Sequence, residues 1–158
     1  MPSPSRSGTT SPELWISEII LDTDVVSEVL RPQPDPHVVA WLESLIGEVA
    51  VSAITVAELL AGVRRMPEGR RRAVMTSRIE AVVESYRDGR AVLSFDDRAA
   101  GCHADVLVAR ERTGRPISTA DAQIAAICLA HDATCATHDV KGFALTGVEL
   151  LNPWSGQN

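Results

Sequence analysis

What this chain has little of narrows its function first. No apolar run comes near the roughly 20 residues that a membrane-spanning helix needs, so no bilayer partner is expected. Met1 to Pro12 is rich in Pro, Ser and Thr and lacks the apolar stretch of a secretory signal. Residues 1–15 are read as a disordered tail, with a single domain over residues 16–158. The cysteines number three, Cys102, Cys128 and Cys135, with no zinc-binding spacing. Cys128 falls in an apolar helical run and suits a reduced core thiol, which fits a cytoplasmic protein. With two Phe, one Tyr and three Trp, an aromatic platform for stacking single strands is not expected. Lysine is almost absent: Lys141 is the only one, and the formal net charge is −6. That balance argues against nucleic-acid binding through a broad basic face. It leaves room for an acidic pocket whose metal ions meet a phosphate. Neither a Walker-type phosphate loop nor a G-x-G-x-x-G fingerprint is present.

What the chain does have is a steady alternation of short strands and helices. Its 158 residues, 45% of them apolar, can bury roughly 70% of the unfolded surface. Ile16, Ile19, Ile20 and Leu21 suit a strand buried on both faces, and Val25, Val26, Val29 and Leu30 then recur at helical spacing up to Arg31-Pro32. Asp35-Pro36 reads as an N-cap with proline at N1, opening a helix through Val38, Trp41, Leu42, Leu45 and Ile46 to Gly47. Val49 to Ala53 is a second strand, and a helix carrying Leu59, Leu60 and Val63 follows. Pro67 opens a long arginine-rich helix that closes at Asp88-Gly89. Ala91 to Phe95 is a third strand, and Asp97 to Arg112 a helix stopped by Thr113-Gly114. An apolar helix runs from Ser118 through Leu129. Thr134 to Thr137 and Val148 to Leu151 complete the strands. The pattern predicts an α/β fold, a three-layer α/β/α sandwich with a mostly parallel five-stranded sheet.

On that map five acids, Asp22, Asp24, Glu58, Asp121 and Asp139, follow strands or open helices. Each has a local explanation: Glu58 as the partner of Thr55 in a capping box, Asp121 likewise with Ser118, Asp139 as a turn residue. Together they suggest one site along the carboxyl edge of the sheet, where open α/β sheets bind ligands. Two carboxylates about 4 Å apart repel by about 4 kcal/mol at an effective dielectric of 20, so such a cluster calls for a cation. Oxygen-only ligation points to Mg²⁺ or Mn²⁺ rather than zinc. The four histidines, His37, His103, His131 and His138, pair with no serine or cysteine nucleophile and read as incidental, with His138 notable only for adjoining Asp139.

Leu21-Asp22-Thr23-Asp24, Ser52 through Leu59, Arg115-Pro116-Ile117-Ser118 with Ala120 through Ala126, Ala136-Thr137 with Asp139, and Asn152-Pro153-Trp154 resemble a PIN-domain ribonuclease. The likeness is to the VapC/FitB-like toxins of type II toxin–antitoxin pairs and runs from about Ile19 to Trp154. It implies a PIN-like fold and a metal-dependent endoribonuclease acting as a toxin. The acidic quartet would be Asp22, Glu58, Asp121 and Asp139, with Asp24 and Thr137 beside it, holding Mg²⁺ (or Mn²⁺) to activate a water. RNA as substrate, a cognate antitoxin and a homodimer are implied as partners. The chain departs from the pattern in two places: Asp24 stands where asparagine is frequent, and Gly142 where an aspartate is common. A haloacid-dehalogenase-like phosphatase is an alternative, since Asp22-Thr23-Asp24 also fits its nucleophile loop and Ser52 its hydroxyl. That chemistry needs a lysine followed by an acidic pair, whereas Asp96-Asp97 precedes Lys141. A catalytically inactive PIN-like interaction domain is the third reading. The stripe Val38, Trp41, Leu42 and Leu45 is either core or a seat for an amphipathic antitoxin segment.

Overall fold

The computed structural model describes residues 18–45 and 49–155. The expected tail, Ile16, and the expected helix end at Ile46-Gly47 lie outside the described residues. In chain order the elements are β1 (Ile19–Leu21), α1 (Thr23–Val29), α2 (Pro36–Ser44), β2 (Val49–Ser52), α3 (Ala53–Arg64), α4 (Arg70–Asp88), β3 (Val92–Leu93), α5 (Asp97–Arg112), α6 (Thr119–Ala130), β4 (Thr134–Ala136), α7 (Val140–Phe143) and β5 (Glu149–Leu151), followed by a 3₁₀ turn over Pro153–Ser155. The five strands form one sheet in the order β3-β2-β1-β4-β5, and every pairing is parallel. The three-layer α/β sandwich expected from the alternation is therefore the fold, with the sheet parallel throughout.

Strand periodicity divides the core into two layers. Ile20, Ala50 and Cys135 face one side, where they meet Val106 of α5 and Ile124 and Ile127 of α6. Leu21, Val51 and Ala136 face the other, against Val25 and Val26 of α1, Val38 of α2, Leu59 and Val63 of α3, and Ile79 and Val83 of α4. The α6 helix is buried nearly all round, from Ala122 and Ile124 through Cys128 to Ala130, so its small residues let it lie close to the sheet. The α4 helix buries only Ile79 and Val83 and turns its arginines outward. The α2 stripe resolves as core, because Val38 is fully buried and Trp41 and Leu42 pack against the same cluster.

The differences from the sequence expectation lie at element ends. The third strand shrinks to two residues and the fifth loses Val148. The long helix starts at Arg70 rather than Pro67, because Gly69 at φ 146 breaks the helical path just before it. A short helix, α7, stands where only a turn was expected after His138-Asp139. Arg110 on α5 is buried, with 5% of its surface exposed. Its Nε donates to Arg115 O at 2.6 Å, and one terminal nitrogen donates to Gly142 O at 2.7 Å and Ala144 O at 2.9 Å. This guanidinium fastens α7 to the α5–α6 connection without a carboxylate partner among the described residues.

Candidate functional site

The chain leaves β1 toward β2 on one side of the sheet and leaves β4 toward β5 on the other. Between these two neighbouring strands the winding direction reverses, and a crevice opens at their carboxyl ends. Asp22, the residue after β1, extends the ladder by donating its N–H to Ala136 O at 2.9 Å. Its side chain caps α1: Oδ1 accepts from Thr23 N at 2.8 Å, and Oδ2 accepts from Thr137 Oγ1, also at 2.8 Å. Thr137, fully buried, accepts from Asp139 N at 2.9 Å with the same oxygen. One hydroxyl thus couples the ends of β1 and β4. Asp24 Oδ2 accepts from His138 N at 3.0 Å, while its Oδ1 is buried without a partner.

The remaining acids arrive from other elements. Ser52 caps α3, donating its hydroxyl to Thr55 Oγ1 at 3.4 Å. Thr55 and Thr23 share a 2.9 Å contact, and Thr23 donates to Glu58 Oε1 at 2.5 Å. With Glu58 accepting, the chain of donors runs Ser52, Thr55, Thr23, Glu58. Glu58 is therefore not the capping-box partner of Thr55: the cap is Ser52, and the Glu58 carboxylate reaches across to α1 instead. Asp121, in the first turn of α6, donates its N–H to Ser118 Oγ at 3.2 Å, which is one half of the expected box. Asp139 caps α7, Oδ1 accepting from Gly142 N at 3.0 Å. A Cβ at residue 142 would stand 2.2 Å from Asp139 Oδ2, so only glycine there lets the carboxylate fold over the helix end.

Asp22, Asp24, Glu58, Asp121 and Asp139 all line one open depression of about 680 Å³, together with Thr23, Ser27, Glu28, Arg31, His138 and Trp154. Asp22 forms its floor at 6% exposure, Asp24 and Asp121 its walls, and Glu58 and Asp139 its rim. Burial, then the neighbouring Asp24 charge, pushes the Asp22 carboxyl up to about 7, against the hydrogen bonds from Thr137 and Thr23. Burial likewise raises Asp24, opposed chiefly by the His138 N–H. Asp121 is raised by burial and then, after the opposing Ser118 bond, by the charges of Glu58, Asp139 and Asp24. A cation in the depression would relieve all three. No three carboxylate, histidine or cysteine groups among the described residues form a tight ligand cage. The acids lining the depression offer carboxylate oxygens, the chemistry of a hard cation such as Mg²⁺, which keeps several waters and takes one or two carboxylates.

Comparison with known proteins agrees with this geometry. The PIN domain family matches residues 19–148. The chain belongs to the PIN-domain family. VapC ribonuclease Y4jK of Sinorhizobium fredii is 41% identical over 137 residues, covering 86% of this chain and 97% of that protein. Toxin FitB of Neisseria gonorrhoeae is 44% identical over the same length, covering 86% and 98%. Among solved structures, FitAB bound to an IR36 DNA fragment superposes with a TM-score of 0.81 at 40% identity, covering 89% of this chain and 98% of that one.

In this PIN domain the acids singled out in the sequence line one depression, and Thr137 lies beneath them, donating to Asp22 and Asp24 and accepting from the Asp139 N–H. Sequence reasoning missed Thr23 as the anchor of Glu58, and Glu28, whose buried carboxylate accepts from Asp35 N at 2.8 Å and Arg31 at 3.1 Å. It also missed the stack of His138 on Trp154 at the pocket wall. Thr23 sits inside the quoted Asp-Thr-Asp motif, so its neighbourhood was visible although its partner was not. His103, expected at the surface, is half-buried and packs edge-on against Phe95. The phosphatase reading finds no support. Lys141, Asp96 and Asp97 are absent from the depression, and the Ser52 hydroxyl is fully buried in the cap of α3. Hydrogen bonding to Cys128, then burial, holds the Cys135 thiol far above its ordinary range, so these thiols are packing groups.

Proposed function

We propose that this PIN domain is a metal-dependent endoribonuclease and the toxin of a toxin–antitoxin pair. The observation that carries the reading is the convergence of Asp22, Glu58, Asp121 and Asp139 on one depression, where burial and the neighbouring Asp24 charge raise the Asp22 carboxyl. A bound Mg²⁺, with Mn²⁺ able to substitute, supplies Lewis-acid chemistry: it neutralises charge on the phosphate and lowers the pKa of a water. Asp22 and Asp121 would hold it, and Asp139 would hold a second ion. Glu58 is a ligand or positions the attacking water, its carboxylate aimed by Thr23. Thr137 fixes Asp22 and the backbone of Asp139 together. Water rather than the ribose 2′-hydroxyl attacks the phosphorus and the bond to the 3′-oxygen breaks, so the products carry 5′-phosphate and 3′-hydroxyl ends and no imidazole is needed.

The antitoxin reading rests on the relatives named as toxins and on a second depression. An apolar groove of about 260 Å³, lined by Leu30, Pro32, Leu59, Val63, Met66 and Ile79 among others, adjoins the acids. An amphipathic antitoxin segment fits it, and an arginine from that segment could pair bidentately with the acids next door. The protein acts in the cytoplasm, with its cysteines free, as a homodimer. Among the described residues no helix is long and apolar enough to cross a membrane.

The test is cleavage of an RNA panel with Mg²⁺ and with EDTA, alongside Asp22→Asn and Asp121→Asn. Metal-dependent cleavage by the wild type and none by either variant is expected. Full activity in either variant, after removal of contaminating nuclease, would sink the assignment. Expression alone should arrest growth, relieved by the neighbouring gene's product or by Asp22→Asn.

A further inference from the structure

The carboxylates account for a phosphate and leave the base beside it without a seat. The depression is lined by six acids and a single arginine, Arg31, on a chain of formal net charge −6. Such a surface gains little from the nucleic-acid backbone by charge alone, so a strand must be held by something else. The few aromatics of the sequence make a stacking platform unexpected, yet the fold sets two flat rings on the wall that can do this. His138 and Trp154 stack with centroids 4.4 Å apart and planes 28° from parallel. Trp154 is half-buried, packed against the core layer that includes Val38, and its backbone N–H donates to Asn152 Oδ1 at 2.9 Å. His138 is exposed and lies on this fixed plate. We propose that His138, backed by Trp154, is the stacking face for one nucleobase of the RNA strand, beside the phosphate that the acids receive. The proposal rests on the ribonuclease reading above and assigns a binding and specificity role to a histidine outside the hydrolysis itself.

The chemistry suits a base. Every base offers a π-face, so stacking holds a strand whatever its sequence, and differences in stacking strength give a modest preference at that position. The geometry also separates this role from the acids, because His138 holds Asp24 through its backbone N–H. Its ring can be replaced without removing that bond. Trp154 is the poorer test, since its ring belongs to the core packing.

The experiment uses the full-length protein with Mg²⁺ and a short RNA, chosen from a random-sequence pool as one the wild type cleaves. Variants of that RNA carry a single abasic residue at each of the two positions on either side of the scissile phosphate. His138→Ala should raise KM by about 5- to 150-fold, the range of one lost stack, with kcat changed by less than about threefold. His138→Phe should restore KM. One abasic position should raise the wild-type KM by a similar factor and add nothing further in His138→Ala. An unchanged KM in His138→Ala overturns the proposal, as does an additive effect with every abasic position. A ring that matters only for binding the antitoxin, with RNA kinetics untouched, overturns it too. Cleavage that Asp22→Asn abolishes and His138→Ala leaves unchanged removes this proposal alone. A wild type that cleaves no RNA in the pool removes the ribonuclease reading and this one with it.

Discussion

Two hollows meet at a rim of Thr23, Ser27, Arg31 and Glu58, and their linings are opposite in kind. One gathers Asp22, Asp24, Glu28, Glu58, Asp121 and Asp139. The other gathers Leu30, Pro32, Leu59, Val63, Met66, Met75 and Ile79. Two helices contribute to both. The α1 helix gives Asp24 to the first and has Leu30 at its end in the second; α3 gives Glu58 to the first and Leu59 and Val63 to the second. Asp24 lies in the first turn of α1, at the switch point, where the helix dipole favours an acid, whereas Glu58 lies in the second turn of α3 and is held by Thr23. Farther along the two helices Leu30, Leu59 and Val63 line the apolar hollow. On the proposed function, a cation would offset the repulsion in the acidic hollow, and a single segment, apolar with one cationic side chain, would suit both hollows together.

The largest effect that would separate the hollows lies in the acids. Asp22→Asn or Asp121→Asn should lower single-turnover cleavage by at least about 10²–10³-fold, the scale of losing one preorganised electrostatic group. Binding of the apolar part of a partner segment, followed by calorimetry, should survive. If both functions fell together, the hollows would form one indivisible site.

A smaller effect of opposite sign should appear in stability. Asp22 rises from an ordinary 3.8 to about 7 in the fold. Between those values the folded chain holds a proton that the unfolded chain has released. The contribution is thus fully present below pH 4 and falls as pH rises to about 7, by at most about 4 kcal/mol at 1.36 kcal/mol per unit. Metal-free protein should therefore melt lower at pH 8 than at pH 5, and Asp22→Asn should melt above the wild type at pH 8. Mg²⁺ or Mn²⁺ should reverse that order, adding about 2.7 kcal/mol to the wild type at one hundred times Kd. A melting curve indifferent to both pH and metal would remove the electrostatic account of the acidic hollow.

The smallest effect tests the apolar side. Gly62 lines the groove, and a Cβ built there meets nothing within 4 Å. Gly62→Leu should gain about 0.8 kcal/mol of helix stability while filling the space a partner would use. Antitoxin binding should weaken by about tenfold, equivalent to about 1.4 kcal/mol, with cleavage altered far less. Unchanged affinity would move the partner elsewhere on the surface.

Much of this was legible in the residues themselves. The strands at Ile19, Val49 and Thr134 show in their apolar runs, and the caps Asp22, Asp35 and Ser118 show in residue type and position, because both signals act within one turn of the chain; Ser52 reads as strand, and only the structure makes it the cap in place of Thr55. The acids' placement after strands also followed locally, and so did their kinship with a known family. The tertiary structure decided which of these local features share a space. Thr137 donates to Asp22 across 115 positions, and Glu58 takes its hydrogen bond from Thr23 across 35 rather than closing a box beside it. His138 finds Trp154, and buried Arg110 finds carbonyls 32 and 34 positions away. None of these has a sequence period to betray it. Strand order brings β1 beside β4, and once the two are adjacent every buried polar group near their ends must find its partner among whatever the packing places there.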